Sequence, residues 1–212
     1  MRNLIYKELN LSINKFFYVL PLLLSFLFLI PQWIYSFVFM YFFWVTASQI
    51  FLGYTAQSDY SFSSMLPVTK KAIVQSKVIA VLFVEGVHLI IGVLFGIIHN
   101  LIYGSTNFLM DINPAFYGIM LITFGLFNIF FLPEYFKTAY KYGKPLIKGS
   151  IVTLLFAGFF EFSSIQVPII SNIIESKDAL TQLVVLLTGM VVFVILNIIS
   201  IKKSIKNYEN IK

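Results

Sequence analysis

The strongest constraint on this chain is the stretch from Phe16 to Tyr54, which carries no charged side chain. As one helix, residues 16–54 would run about 58 Å at ~1.5 Å per residue, against a hydrocarbon thickness of about 30 Å for a bilayer. The block must therefore fold back on itself, and "IPQW" at 30–33 supplies the break. Pro31 disfavours helix at Ile30, Gln32 is polar, and Trp33 suits a membrane interface. Two spans are expected, over 16–30 and 34–55. The rest of the chain is of the same character: 59% of its 212 residues are hydrophobic and 11% charged. A soluble domain is about 45–50% apolar and about 25% charged. One aqueous core cannot bury so much apolar surface at this size, so lipid is the solvent for much of it.

Four further apolar runs, at 78–102, 115–132, 146–162 and 181–200, complete an all-α integral membrane protein of six transmembrane helices in a single domain. The short soluble parts are a leader (1–15), a polar stretch (56–77) and a tail (201–212). In the leader, a helix would place Leu4, Ile5, Leu9, Leu11 and Ile13 mostly to one side and its charges opposite, the pattern of an amphipathic helix lying along a membrane surface. No small-residue cleavage site follows it, so it does not read as a signal peptide.

Six spans put both termini on one side, and the basic residues choose that side. Arg2, Lys7 and Lys15 precede the first span, and Lys70, Lys71 and Lys77 follow the second. Lys137, Lys141, Lys144 and Lys148 follow the fourth; Lys202, Lys203, Lys206 and Lys212 follow the sixth. All 15 basic residues except Lys177 thus fall on one face, and the positive-inside rule makes it cytoplasmic. The net charge of +6 is spread over four segments, which suits an inner membrane face better than nucleic acid.

Several chemistries have no residues to carry them. The absence of cysteine excludes disulfides, thiolate metal sites and cysteine nucleophiles. There is no GxxxxGK[ST], HExxH or GxSxG. Glu85 and His88 stand three apart, on one face of the third span. They are half of a di-iron arrangement, which needs a second copy and two more carboxylates, so no metal site is assigned. Ionisable groups inside a span mark a polar pathway or an interhelical contact. Both readings stand for this pair: a cargo-handling cavity or seam, or bonding to each other and a neighbouring helix. Asn128 and Asn197 read as interhelical glue. The aromatics of the second span, "WIYSFVFMYFFWVTASQIF", could form a cargo-stacking surface but read chiefly as lipid-facing and interfacial. The loop at 163–180 is either a connector or a short surface or re-entrant helix around Pro168.

The polar stretch 62–77, "FSSMLPVTKKAIVQSK", is the longest polar interruption in the first hundred residues. Pro67 suits a first helical turn. Ile73 and Val74 would then share a side able to meet a partner groove, while Lys70, Lys71 and Lys77 address lipid phosphates or acidic partner residues. The stretch from Met65 to Lys77 also resembles the cytoplasmic loop by which permease subunits of type-2 ABC exporters seat in their ATPase. The matching residues are Leu66, Pro67, Val68, Lys71, Ile73, Val74, Ser76 and Lys77, with Thr69 at the usual serine and Ala72 where an acid is common. "FNIFFLPEYFKTAYKYGK" at 127–144 is similar to small Firmicute permeases that include those exporting phenol-soluble modulins, which are amphipathic peptide toxins.

The resemblance implies a half-transporter in a bacterial cytoplasmic membrane, paired with a second permease as a homo- or heterodimer. Its energy would come from a separate cytosolic ATPase, which would hold the ATP and Mg²⁺, with no cofactor and no covalent chemistry on this chain. The ATPase-coupling residues would be Met65, Leu66, Pro67, Val68, Thr69, Lys70, Lys71, Ile73 and Val74, and the cargo an amphipathic or hydrophobic peptide. Two other classes remain open: an intramembrane enzyme using Glu85, His88 and His99, and a non-transporting scaffold or immunity protein. A reporter fused after residue 140 is expected on the cytoplasmic side of the membrane; finding it outside overturns the six-span count.

Overall fold

The computed structural model describes residues 1–211, which form helices and turns without a strand. In chain order these are α1 (Arg2–Lys7), running into a π-helical turn at Glu8–Ser12, and α2 (Phe16–Ser25), tightening to 3₁₀ at Phe26–Leu29. Next come α3 (Tyr35–Tyr41), a π-helical turn at Phe42–Ala47 and α4 (Ser48–Ala56), which run on as Tyr35–Ala56. They are followed by α5 (Asp59–Met65), α6 (Lys70–Tyr103), α7 (Pro114–Lys137), α8 (Gly143–Gln166), α9 (Pro168–Ile174) and α10 (Ala179–Glu209).

Local chemistry fixes where the long helices start and stop. Thr69 caps α6 by accepting the Ala72 amide at 3.2 Å; Asn113 caps α7 through Phe116 at 2.9 Å; Asp178 caps α10 through Thr181 at 2.9 Å. Pro114 and Pro168 occupy first helical turns, where a missing amide donor costs nothing. Gly104, at φ +85°, ends α6 with a backbone conformation that side chains disfavour.

Among the described residues, five helical segments are long and apolar enough to cross a membrane: Tyr35–Ala56, α6, α7, α8 and α10. A sixth exists if Arg2–Ser12 and Phe16–Leu29 count as one, with a 68° bend between them. The expected span at 16–30 thus counts only together with the leader helix. Its helical part, Phe16–Leu29, reaches only about 21 Å at ~1.5 Å per residue, short of the ~30 Å hydrocarbon core. Pro21 interrupts its ladder, and the chain turns extended at Ile30 ahead of Pro31. The expected loop at 56–77 and tail at 201–212 are also mostly helix. Residues 70–77 are the first turns of α6, and α10 continues to Glu209. Lys212, counted with the basic tail, lies outside the described residues.

The second expected span is the centre of the molecule, which corrects the lipid-facing reading of its aromatics. Tyr35, Phe39, Phe42, Phe43, Phe51 and Tyr54 are all buried. The π-helical turn widens the helix where Phe42 and Phe43, adjacent in sequence, both enter the core. From Phe43 a run of stacked rings descends along α7: Phe127 at 4.1 Å, Phe131 at a further 5.0 Å, Tyr135 at 5.6 Å and Tyr140 at 5.0 Å. Tyr208 of α10 closes it, 5.9 Å from Tyr140.

Lipid gives helices little apolar reason to associate, so close backbone approach and polar contacts hold the bundle. Gly118 of α7 and Gly189 of α10 lie backbone to backbone. A Cβ on Gly118 would stand 2.7 Å from the Val185 carbonyl oxygen, and one on Gly189 would run into Gly118 itself. Asn128 Nδ2 donates to Asn197 Oδ1 at 3.0 Å across the same pair, and Ser200 Oγ to the Asn128 carbonyl at 2.7 Å. The end far from most lysines is cross-tied as well. Asn107 donates to the Trp33 carbonyl at 3.1 Å, the Met110 amide to Glu161 Oε2 at 3.1 Å, and Asn113 to the Ile174 carbonyl at 2.7 Å. Thermal unfolding in detergent should show Gly189→Val destabilised by about 1–3 kcal/mol through overpacking, while Gly158→Ala, where a Cβ meets open space, unfolds no earlier than the parent.

Candidate functional site

The junction of α5 and α6 gathers the residues that the resemblance singles out. α5 ends at Leu66, which is extended, and Thr69 starts α6 three residues later. Pro67 therefore sits in the turn between two helices, two residues before the cap, and not in a first helical turn as expected. The turn and the side of α5 facing away from the molecule are exposed. Met65 is 81% and Phe62 54% exposed, Val68 38%, and Pro67, Thr69, Lys70 and Lys71 are exposed beside them; Leu66 is half-buried.

Beyond Lys71 the expectation fails. Ile73 and Val74 do not face a partner groove, for both are buried in the chain's own core. The reason is the helix they belong to: at residue 73 α6 has already docked on its neighbours, so the positions that a free short helix would present outward are taken. Lys70 reaches the C-terminal segment, donating to the carbonyls of Glu209 at 3.1 Å and Ile211 at 3.0 Å. Lys77, expected to address lipid phosphates or acidic partner residues, is only 1% exposed.

Lys77 closes a ring of four charges. It pairs with Glu8 at 3.1 Å and Asp59 at 2.5 Å, and Lys7 pairs with the same two carboxylates at 3.0 and 2.7 Å. Each cation touches both anions, and the ring has no net charge. Ser63 Oγ donates to Asp59 at 3.1 Å, and the Lys77 ammonium lies 3.7 Å from the centroid of the Tyr54 ring. Three separate pieces, the N-terminal helix, α5 and the base of α6, are thereby joined under the exposed turn. Sequence reasoning missed this ring, although a signal was present. Glu8 is the only acid in residues 1–15 and Asp59 the only acid in 56–77, and lone acids among lysines are natural partners for them.

Glu85 and His88 share a face of α6 as expected, and both are buried. Glu85 Oε2 accepts from Asn128 Nδ2 of α7 at 3.0 Å, and His88 Nε2 lies 3.1 Å from the Val38 carbonyl oxygen of α3. Each thus contacts a neighbouring helix. His99 is not with them. It sits fourteen residues beyond Glu85 on one straight helix, about 21 Å at ~1.5 Å per residue, and bonds the Phe28 carbonyl at 2.6 Å through Nδ1. The structure does not bring the three groups of the enzyme reading together.

Comparison with known families gives one finding that spans nearly the whole chain: residues 3–209 match the family described as ABC-2 family transporter protein. The chain belongs to that family. With five or six apolar helices of spanning length, this ABC-2 family member is a multi-pass membrane protein and a permease of the ABC-transporter type, and its family implies an ATPase partner in a membrane complex. No curated protein and no solved structure matches the chain.

In the ABC-2 family member the charge ring makes stability depend on acid. Burial alone would raise the Asp59 carboxyl, but the Lys77 charge and the hydrogen bond from Lys7 outweigh it and hold the group below the ordinary aspartate value. The unfolded chain then takes up its proton first as the pH falls. The contribution is full at neutral pH and is lost on descending through the ordinary aspartate range to the lower folded value. Melting curves against pH should show this acid limb in the parent and its absence in Asp59→Asn. Lys77→Met, which leaves two buried carboxylates to one lysine, should cost about 3–5 kcal/mol at neutral pH.

Proposed function

We propose that this permease is driven by a separate ATPase seated on the exposed turn at residues 62–71. The observation that carries the reading is the contrast across that turn. Phe62, Met65 and Val68 are exposed and apolar at the lysine-rich end, where water or headgroups would meet them, while the residues behind are locked by the charge ring. Exposed apolar side chains flanked by Lys71 suit an apolar cleft with an acidic rim. Displacement of α5 by a closing ATPase would pass through Asp59 to Glu8–Lys7 on one side and Lys77 on the other, moving the N-terminal helix and α6 together. ATP and Mg²⁺ belong to the partner.

On this reading the lysine-rich end is cytoplasmic, the membrane is that of a bacterial cell, and Arg2–Ser12 lies along its surface ahead of the bend. A second permease subunit completes the half-transporter. The cargo is an amphipathic or hydrophobic peptide, as the resemblance to the modulin exporters implies. Support comes from an open groove of about 570 Å³ between α6, α7 and α10, lined by Leu89, Val93, Ile97, Tyr117, Leu186 and Met190 among others. Its walls are almost wholly apolar, which suits a hydrocarbon side-chain face and not a charged solute.

Co-expression with its partner ATPase tests the seat. Met65→Asp combined with Lys71→Glu should leave the permease inserted and as heat-stable as the parent, because both side chains are exposed, yet abolish co-purification of the ATPase. Retention at parental levels would sink the proposed seat.

A further inference from the structure

The polar junction inside the bundle has more acceptors than donors. Glu85 Oε2 receives the Asn128 amide, but Glu85 Oε1 has no partner. His88 Nε2 faces a carbonyl oxygen, so it carries the ring hydrogen and donates it. That leaves His88 Nδ1 as a bare acceptor, also without a partner. Asn128 commits both of its N–H bonds, to Glu85 Oε2 and to Asn197 Oδ1, each at 3.0 Å, and its Oδ1 is left alone. Turning that amide over would set its oxygen against two further oxygens.

All three side chains are fully buried. Rings wall the site, with Phe42, Phe39 and Phe124 at 5.6, 5.8 and 6.4 Å from the His88 ring centroid. The polar groups linked to Glu85 directly, or through Asn128 and beside His88, come from four helices. α6 itself supplies His88, α7 supplies Asn128, α10 supplies Asn197 with Ser200 behind it, and α3 supplies the Val38 carbonyl. None of these is a cation. An ionised Glu85 would put three donorless acceptors and one uncompensated charge in a hydrocarbon setting, where neither is tolerated cheaply.

One hydrogen removes the charge and leaves a single acceptor of the three without a donor. We propose that Glu85 is a proton-binding site, holding a proton on Oε1 whose hydroxyl donates to Asn128 Oδ1 or His88 Nδ1 and so ties the junction of α3, α6, α7 and α10. The carboxyl and the Asn128 amide already meet through Oε2 and Nδ2, so donation from Oε1 to Oδ1 gives the two-point pairing of an acid with an amide. Parting α6 from α7 breaks that pair and opens the carboxyl to water, which makes closure of the bundle a proton-binding step. This holds whatever the cargo, and does not depend on where the ATPase sits.

Infrared difference spectra of the full-length permease in lipid nanodiscs, parent minus Glu85→Gln, test it. The expected result is a neutral-carboxyl C=O band at neutral pH that shifts in heavy water and is absent from Glu85→Gln. The glutamine amide supplies the same donor permanently, so Glu85→Gln should melt with the parent while Glu85→Ala melts earlier. Of a second pair, Asn128→Ala and His88→Ala, the one that withdraws the hydroxyl's acceptor should move the parent's band without removing it, and this readout needs no Glu85 variant to fold. A carboxylate band in place of the neutral one overturns the proposal and assigns the missing donor to a trapped water or a cation. So does Glu85→Gln melting as low as Glu85→Ala, or a band that neither acceptor variant moves.

Discussion

Two lysines and two carboxylates at the base of α6 share one closed circuit of ion pairs, and the arrangement of the whole lysine-rich end rests on it. Three of the four members come from short segments. Lys7 and Glu8 lie on a leader that bends by 68° before the first apolar helix, and Asp59 lies on a seven-residue helix too short to stand alone. Lys77 is the one member on a long helix. Buried charges are costly singly and acceptable in a neutral, mutually bonded group. The four are therefore interdependent: loss of the leader reduces Lys77 to the single partner Asp59, and loss of α5 leaves two lysines to Glu8 alone. Order at this end is enforced by what separation would expose, and less by what contact gains.

Deeper in the bundle the same logic operates with neutral groups. Asn128 bridges Glu85 of α6 and Asn197 of α10, and the facing glycines at 118 and 189 bring α7 and α10 close enough for that bridge to form. The aromatic run from Phe43 to Tyr208 fills the space between this junction and the charge ring, ending with Tyr140 and Tyr54 near the Lys77 ammonium. The far end is closed by side-chain amides and Glu161 bonding loop backbone. Both ends are pinned, and the outward faces of α8 and α10 are left apolar for their surroundings.

What could be read from the sequence was set by hydropathy and local signals. Uncharged runs located five of the helices, and Thr69, Asn113, Asp178 and Gly104 are terminators of recognisable type. Asn128 and Asn197 read as glue, and they bond each other. What could not be read was three-dimensional partnership. A lysine in a basic stretch looks the same whether it faces phosphate or an acid sixty-nine residues away, so Lys77 was misplaced. Ile73 and Val74 look like a docking face until α6 is known to begin at Lys70. The aromatics of the second span match an interfacial pattern by composition, and only their central position makes them core. At Glu85 the spacing was legible, while the shortage of donors became visible only once the bonds of Asn128 and His88 could be counted.

The uninterrupted course of α6 has a mechanical consequence. Its 34 residues contain no proline, and the ends are fixed by a threonine cap and a positive-φ glycine, so no proline kink divides it. It behaves as a stiff lever about 51 Å long. A tilt of about 5° at its foot swings the far end by about 4 Å, roughly the width of a methylene chain. The ring that grips the foot holds the short arm, and the apolar groove beside Leu89 and Ile97 lies along the long one. A modest tug at the lysine-rich end is thereby magnified into a displacement on the scale of a side chain, without any residue in between having to change its conformation.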